Sequence, residues 1–166
     1  MHRRVVVSAV VAGLTWAGGC IGGGSEVVTT VQRDVSVTPG QGWVTEIPDI
    51  SGSGGAVQYK ARASQPFEVY LFTSEEDYMF YDTYVDGGDP ARTPGGHDEV
   101  SATAEQVSER SYEAATPNDG ARESVDAEGP YFFVVDHSNY GDATPADEPS
   151  PLSVFLDLTV TERALF

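Results

Sequence analysis

The side chains able to do chemistry are few, and their spacing sorts them. The 166-residue chain holds one cysteine, Cys20, and three histidines, His2, His97 and His137. A covalent nucleophile needs a base beside it. No G-x-S-x-G elbow and no H-E-x-x-H pair occurs, and no cysteine follows residue 20. No glycine-rich phosphate loop opens a helical pattern, so the residues predict a protein that is not an enzyme. A metal site is the sharper alternative. Asp136, Ser138, Asp142 and Asp147 fall within twelve residues, with Gly141 at the sixth place, an echo of a calcium loop. Tyr140 takes the fifth ligand's place, Asp replaces the closing Glu, Pro145 disturbs the spacing, and no helical pattern flanks the run. A second acidic loop, Asp86-Gly87-Gly88-Asp89, offers oxygens too. In a chain this acidic such groupings arise by chance. The expectation is a solvated loop and no metal, with Asp136, Asp142 and Asp147 the weak candidates if calcium binds. Tyr78, Tyr81, Tyr84, Tyr112 and Tyr140 either form an aromatic face for sugars or proteins or cover the edges of a core.

Cys20 has a different context. Arg3 and Arg4 give a positive start, residues 5–16 are almost wholly apolar or small, and Ala17-Gly18-Gly19 precede the thiol. That is the order of an export signal. The apolar run is shorter than the ~20 residues a spanning helix needs. The small-Gly-Gly-Cys ending resembles the lipobox of prokaryotic lipoproteins. The resemblance implies removal of residues 1–19, a diacylglyceryl-type lipid on Cys20, and attachment to the outer face of the cell membrane. Stable anchoring takes two acyl chains, which such a group supplies. Residues 20–25 then read as a lipidated end and a Gly-rich tether. The twin arginines leave two export routes open, one for unfolded and one for folded chains.

Removal of residues 1–19 takes away Arg3 and Arg4 and no acid. Seven basic and 26 acidic side chains remain, a net charge of −19. Lys60 is the sole lysine. Such a chain repels itself in dilute buffer, whereas ~1 M salt shortens the Debye length to about 3 Å and screens the repulsion. The acidic, lysine-poor profile looks like that of a salt-loving archaeon's protein. It excludes nucleic acid as a partner, because phosphates are repelled, and it opposes lying flat on an anionic membrane. Residues 26–166 suit one domain.

The elements that must carry these residues are mostly strands. Residues 26–37 are rich in Val and Thr. Trp43, Thr45 and Ile47 alternate over 43–47, and Val57, Tyr59, Ala61 and Ala63 alternate with Gln58, Lys60 and Arg62 over 56–63. Phe67, Val69 and Leu71 share one side of 67–73. Ser74, followed three places later by Asp77, has the form of a capping box and predicts a short helix near 75–82. Glycines and prolines predict a loop over 83–98. Residues 100–107, 111–115 and 122–125 are weak strand candidates, with a turn at 116–120. YFFVVD at 131–136 is the most apolar run after residue 20 and predicts a central strand. A polar loop over 137–151 leads to 152–161, where Leu152, Val154, Leu156, Leu158 and Val160 alternate cleanly. This order predicts an all-β fold, an antiparallel β-sandwich of jelly-roll-like form with one short helix.

Three stretches carry a family resemblance. PFEVYLFTSEEDYMFY, EGPYFFVVDHSNYGDATP and the closing alternating strand are similar to a domain of haloarchaeal membrane lipoproteins. The pattern also resembles the bacterial pre-peptidase C-terminal domain and the eukaryotic GOLD domain. His137 stands where the haloarchaeal pattern has Asn. The resemblance covers roughly residues 60–162, implies a jelly-roll-like binding module, and brings no catalytic residues with it. The expected protein is a lipid-anchored extracytoplasmic module that binds a surface protein or a small solute without catalysis. The alternative is a solute-binding or calcium-dependent accessory subunit of a surface complex or transporter.

Overall fold

The computed structural model describes residues 25–48, 54–126, 129–141 and 150–163. Ten strands and one three-turn helix follow in the order β1 (Ser25–Val37), β2 (Gly42–Ile47), β3 (Gly55–Ala63), β4 (Glu68–Phe72), α1 (Glu75–Val85), β5 (Ala102–Thr103), β6 (Glu105–Ser108), β7 (Ser111–Ala115), β8 (Glu123–Val125), β9 (Tyr131–Asp136) and β10 (Leu152–Arg163). One sheet has the order β1-β10-β3-β7-β6, with β8 also on β3; the other has the order β2-β9-β4-β5.

The pairing is nested. β1 pairs with β10, β2 with β9, β3 with β7 and β4 with β5, all antiparallel. The chain is thus a long ribbon whose outgoing arm pairs stepwise with its returning arm. Rolling the ribbon brings β10 beside β3 and β9 beside β4. That is the jelly-roll arrangement, and among the described strands only β1, β6, β2, β5 and the short β8 have a single partner. The predicted antiparallel β-sandwich is the observed fold.

Alternation explains the main core between the sheets. In β3 and β10 every second residue is buried, and Gln58, Lys60, Arg62, Ser153, Phe155 and Asp157 face out. Val57, Tyr59, Leu156, Leu158, Val69, Leu71, Phe133 and Val135 meet in one cluster. Tyr59 lies edge-on to Phe133 at 5.1 Å, and its hydroxyl donates to the Val100 carbonyl at 2.7 Å. This hydrogen bond satisfies a phenol sunk deep in a largely hydrocarbon layer.

β4 and β9 break the alternation because both their faces are covered. All five residues of β4 and all six of β9 are buried. One set faces the main core. Tyr70, Phe72, Phe132 and Val134 face the other way and pack under α1 with Tyr81. A strand covered on both sides needs apolar residues throughout, which is why 131–136 lacks a polar face.

Ser74 caps α1 by accepting from the Asp77 amide at 3.2 Å, as the capping pattern predicts. Glu75, Glu76 and Asp77 occupy the first turn, where the helix dipole favours acids. The helix runs one turn beyond the predicted 75–82. Its end is set by Gly87, at φ 85°, and by the Gly88 amide donating to the Thr83 carbonyl at 2.9 Å. Thr83–Val85, predicted as loop, are therefore helical. The weak 100–107 run splits into β5 and β6, because Val100 turns into the main core and the Ala104 amide bonds the Phe67 carbonyl. At 116–120 the turn is tight, with Asn118 and Asp119 both left-handed.

The sandwich has two ends. Ser25 lies across from Arg163 at one end of the β1–β10 pair, and Val37 lies across from Leu152 at the other. Gly42, Glu68 and Asp136 belong to the Val37 end, since β2 starts just after β1 stops and Glu68 and Gly42 are both partners of Asp136 in register.

Candidate functional site

Two acids stand at the limits of the most apolar strands. Glu68 opens β4 and Asp136 closes β9, and the antiparallel register sets them directly opposite each other. Directly opposed side chains share a face of the sheet. Both are buried, at 4% and 2% exposure. Burial of two like charges side by side is costly unless hydrogen bonds and protonation relieve it.

Hydroxyl groups supply the hydrogen bonds. Tyr81, reaching down from α1, donates to Asp136 Oδ1 at 2.6 Å, and Ser138 donates to the same oxygen at 2.7 Å. Ser138 Oγ in turn accepts from the Tyr140 amide at 3.1 Å. Tyr70 donates to Glu68 Oε2, and Thr103 of β5 donates to Glu68 Oε1 at 3.2 Å. Burial pushes the Asp136 carboxyl above its usual range; Glu68 adds to the rise, while the Tyr81 and Ser138 hydrogen bonds oppose it. Burial also raises the phenols of Tyr70, Tyr81 and Tyr140, with Glu68 and Asp136 pushing Tyr70 the same way and Asp136 acting on Tyr81 and Tyr140. All three stay protonated and act as donors.

Rings seal the cluster. Tyr140 lies edge-on to Tyr70, Tyr81 and Tyr84 at 5.3, 4.9 and 5.2 Å, and Tyr78 stacks flat on Phe132 at 4.4 Å. The Tyr84 hydroxyl bonds the Asn139 carbonyl at 3.0 Å, and the Gln41 amide bonds the Val85 carbonyl at 3.3 Å. The end of α1 is thereby tied to the segment after β9. Two glycines make room. A Cβ on Gly42 would sit 2.0 Å from the Tyr81 hydroxyl, and one on Gly141 would sit 1.6 Å from Glu68 Oε2.

The tyrosines therefore do not form an open aromatic face. Tyr81 is fully buried, Tyr78 and Tyr140 pack against it and Tyr84 packs on Tyr140, whereas Tyr112 packs on the main core. The covering role is the observed one, because an amphipathic ring can bury its body while its hydroxyl bonds a carboxylate or a carbonyl. Of the calcium candidates, Asp136 gives Oδ1 to two hydroxyl donors; Asp142 and Asp147 lie outside the described residues, as does Cys20. Asp86 forms the C-terminal cap of α1, and Asp86 and Asp89 are both exposed. No group of three or more His, Cys, Asp or Glu side chains suited to a metal ion occurs among the described residues. His137 is buried, with Nε2 3.0 Å from the Ser150 carbonyl.

A second acidic place lies elsewhere. Gly96, His97, Asp98, Glu99, Glu123, Ser124 and Asp126 line an open recess of about 560 Å³. There the Glu123 carboxyl is raised, because in its protonated form it donates a hydrogen bond to Glu99. The sequence pattern gave no hint of this meeting, since it depends on how β8 lies against β3.

Glu68, Tyr70 and Gly42 were not recognisable as site residues from spacing alone. The usable signal was an acid set against a wholly apolar run, in FEVYLF and in YFFVVD. The fold and cluster together define a jelly-roll β-sandwich whose second sheet is roofed by a helix over a carboxylate–tyrosine layer. In comparisons with known proteins, the chain matches no protein-family model and no curated protein.

Proposed function

We propose that the chain is a lipid-anchored extracytoplasmic lipoprotein whose β-sandwich serves as a non-catalytic binding or interaction module at the membrane surface of a salt-loving cell. The observation that carries this reading is the placing of Cys20. The thiol follows an apolar run and three small residues, and β1 starts at Ser25, five positions later. At up to ~3.6 Å per extended residue, the tether reaches roughly 18 Å. The sandwich hangs from the Ser25 end, and the 13 residues of β1 put the opposite end about 40 Å further out. The turn at 38–41, the end of α1 and residues 137–141 lie there, turned toward whatever meets the surface. The sealing of the carboxylate cluster supports a non-catalytic role, because its acids are occupied by hydroxyl donors rather than facing a cleft.

Fractionation of cells making the wild-type chain and a Cys20→Ser variant tests the reading. Wild-type protein is expected in the membrane fraction and the variant in the soluble or unprocessed fraction. A Cys20→Ser variant that stays in the membrane with an unchanged mass overturns it.

A further inference from the structure

The carboxylate cluster joins three parts that are separate in sequence. Glu68 and Tyr70 come from β4, Asp136 ends β9, and Tyr81 comes from α1. Ser138 and Tyr140 come from the segment after β9. Asp136 Oδ1 is an atom on which α1 and that segment converge, through Tyr81 and Ser138. Its register neighbour is a second buried acid. We propose that Glu68 and Asp136 form an acid-tightened latch, in which uptake of a proton by Asp136 fastens α1 and residues 137–141 onto the β2-β9-β4-β5 sheet and its loss at higher pH loosens them.

The groups facing Asp136 decide the direction. β4 presents Glu68 and Tyr70, α1 presents Tyr81 with Tyr78 beside it, and the segment after β9 presents Tyr140. β5 contributes the uncharged Thr103 on Glu68, and β2 contributes Gly42, which has no side chain. Among the described residues Glu68 is the one charge acting on Asp136, and it is a like charge. Protonated Asp136 keeps Oδ1 as the acceptor for both hydroxyls and no longer repels Glu68. Ionised, it has the same bonds and adds a buried negative charge beside another. In the fold Asp136 holds its proton to a higher pH than when exposed, so between those two values the closed latch binds more protons than the open one. Closure is then favoured below that window and weakens as the pH rises through it.

Backbone amide exchange of the intact protein in ~1 M salt, with chelator present, tests the latch. Protection is compared at about pH 5 and about pH 8, corrected for intrinsic exchange. The expected result is greater protection of α1 and 137–141 at the lower pH, growing about tenfold for each pH unit by which Asp136 titrates above pH 5. Asp136→Asn and Glu68→Gln should each flatten the response. Protection of α1 and 137–141 that does not fall between pH 5 and pH 8, or an undiminished response in both variants, overturns the proposal. A carboxyl NMR titration of the wild-type protein does not depend on the variants folding. Titration of Asp136 above the ordinary carboxylate range supports the latch, and titration at or below that range overturns it.

Discussion

The two faces of the β2-β9-β4-β5 sheet are both dry, yet they are built from different side chains. One face meets the opposite sheet through Val, Leu and Phe, with Tyr59 bonded to a backbone carbonyl. The other meets α1 through Tyr70, Tyr81, Phe72, Phe132 and Val134, and at one end it holds two acids. The first face carries no buried carboxylate among the described residues, and its core holds two phenols, Tyr59 and Tyr131, that burial keeps protonated. The second has phenols and carboxylates bonded to one another, so its closure depends on protonation and on hydroxyl geometry. The same strands supply both faces, one residue apart. Hydrocarbon packing holds the sandwich together, and hydrogen-bonded polar groups hold the helix to it.

Substitutions on the two faces should differ in size and in pH response. The largest effect is expected in the hydrocarbon layer. Leu156→Ala leaves a cavity among fully buried neighbours and should lower unfolding stability by about 2–5 kcal/mol in denaturant melts, at all pH values alike. Tyr81→Phe keeps the ring and removes the hydroxyl that bonds Asp136. It should cost about 1–3 kcal/mol, with the loss smaller in acid, where Asp136 is neutral. Equal costs at both pH values would erase the distinction between the layers. In alkali both layers should weaken, since Tyr59 and Tyr131 of the main core are raised by burial as well as the tyrosines under α1. Burial raises Tyr70, Tyr81 and Tyr140, so the folded state keeps their protons above about pH 10, where the unfolded chain loses them. Stability therefore falls as the pH rises past that point. Ultraviolet titration should show these phenols ionising together with loss of α1. Smallest of all is Arg62→Ala on the outer face of β3. Its ion pair with Glu113 is exposed, so the change should stay within about 1 kcal/mol and vanish in high salt.

The main core was legible because alternation is a local signal. β3 and β10 read directly from KAR-type spacing and from LSVFLDLTV, and their buried residues are the alternating ones. The capping residue of α1 was legible for the same reason, since Ser74 and Asp77 are three apart. The length of α1 was not, because its last turn depends on Tyr84 reaching Asn139 and on Gly87 closing the helix. Glu68 was hidden for a longer-range reason. Its partner Asp136 lies 68 positions away, and only the β4–β9 register brings the pair together. The tyrosines could be placed near a surface by their chemistry, but whether that surface was open or roofed depended on where α1 lay. Cys20 is the reverse case: its reading lies wholly in its sequence neighbours, and the described fold adds only that β1 starts five positions later.

The central claim is that this sandwich is carried on a lipid at Cys20. Intact-mass and N-terminal peptide analysis of the protein extracted from membranes tests it most directly. The expected result is a chain beginning at residue 20, heavier than residues 20–166 by a two-chain lipid that stays with the Cys20 peptide. A chain that retains residues 1–19, or one that begins near residue 20 with a free Cys20 thiol, would contradict it.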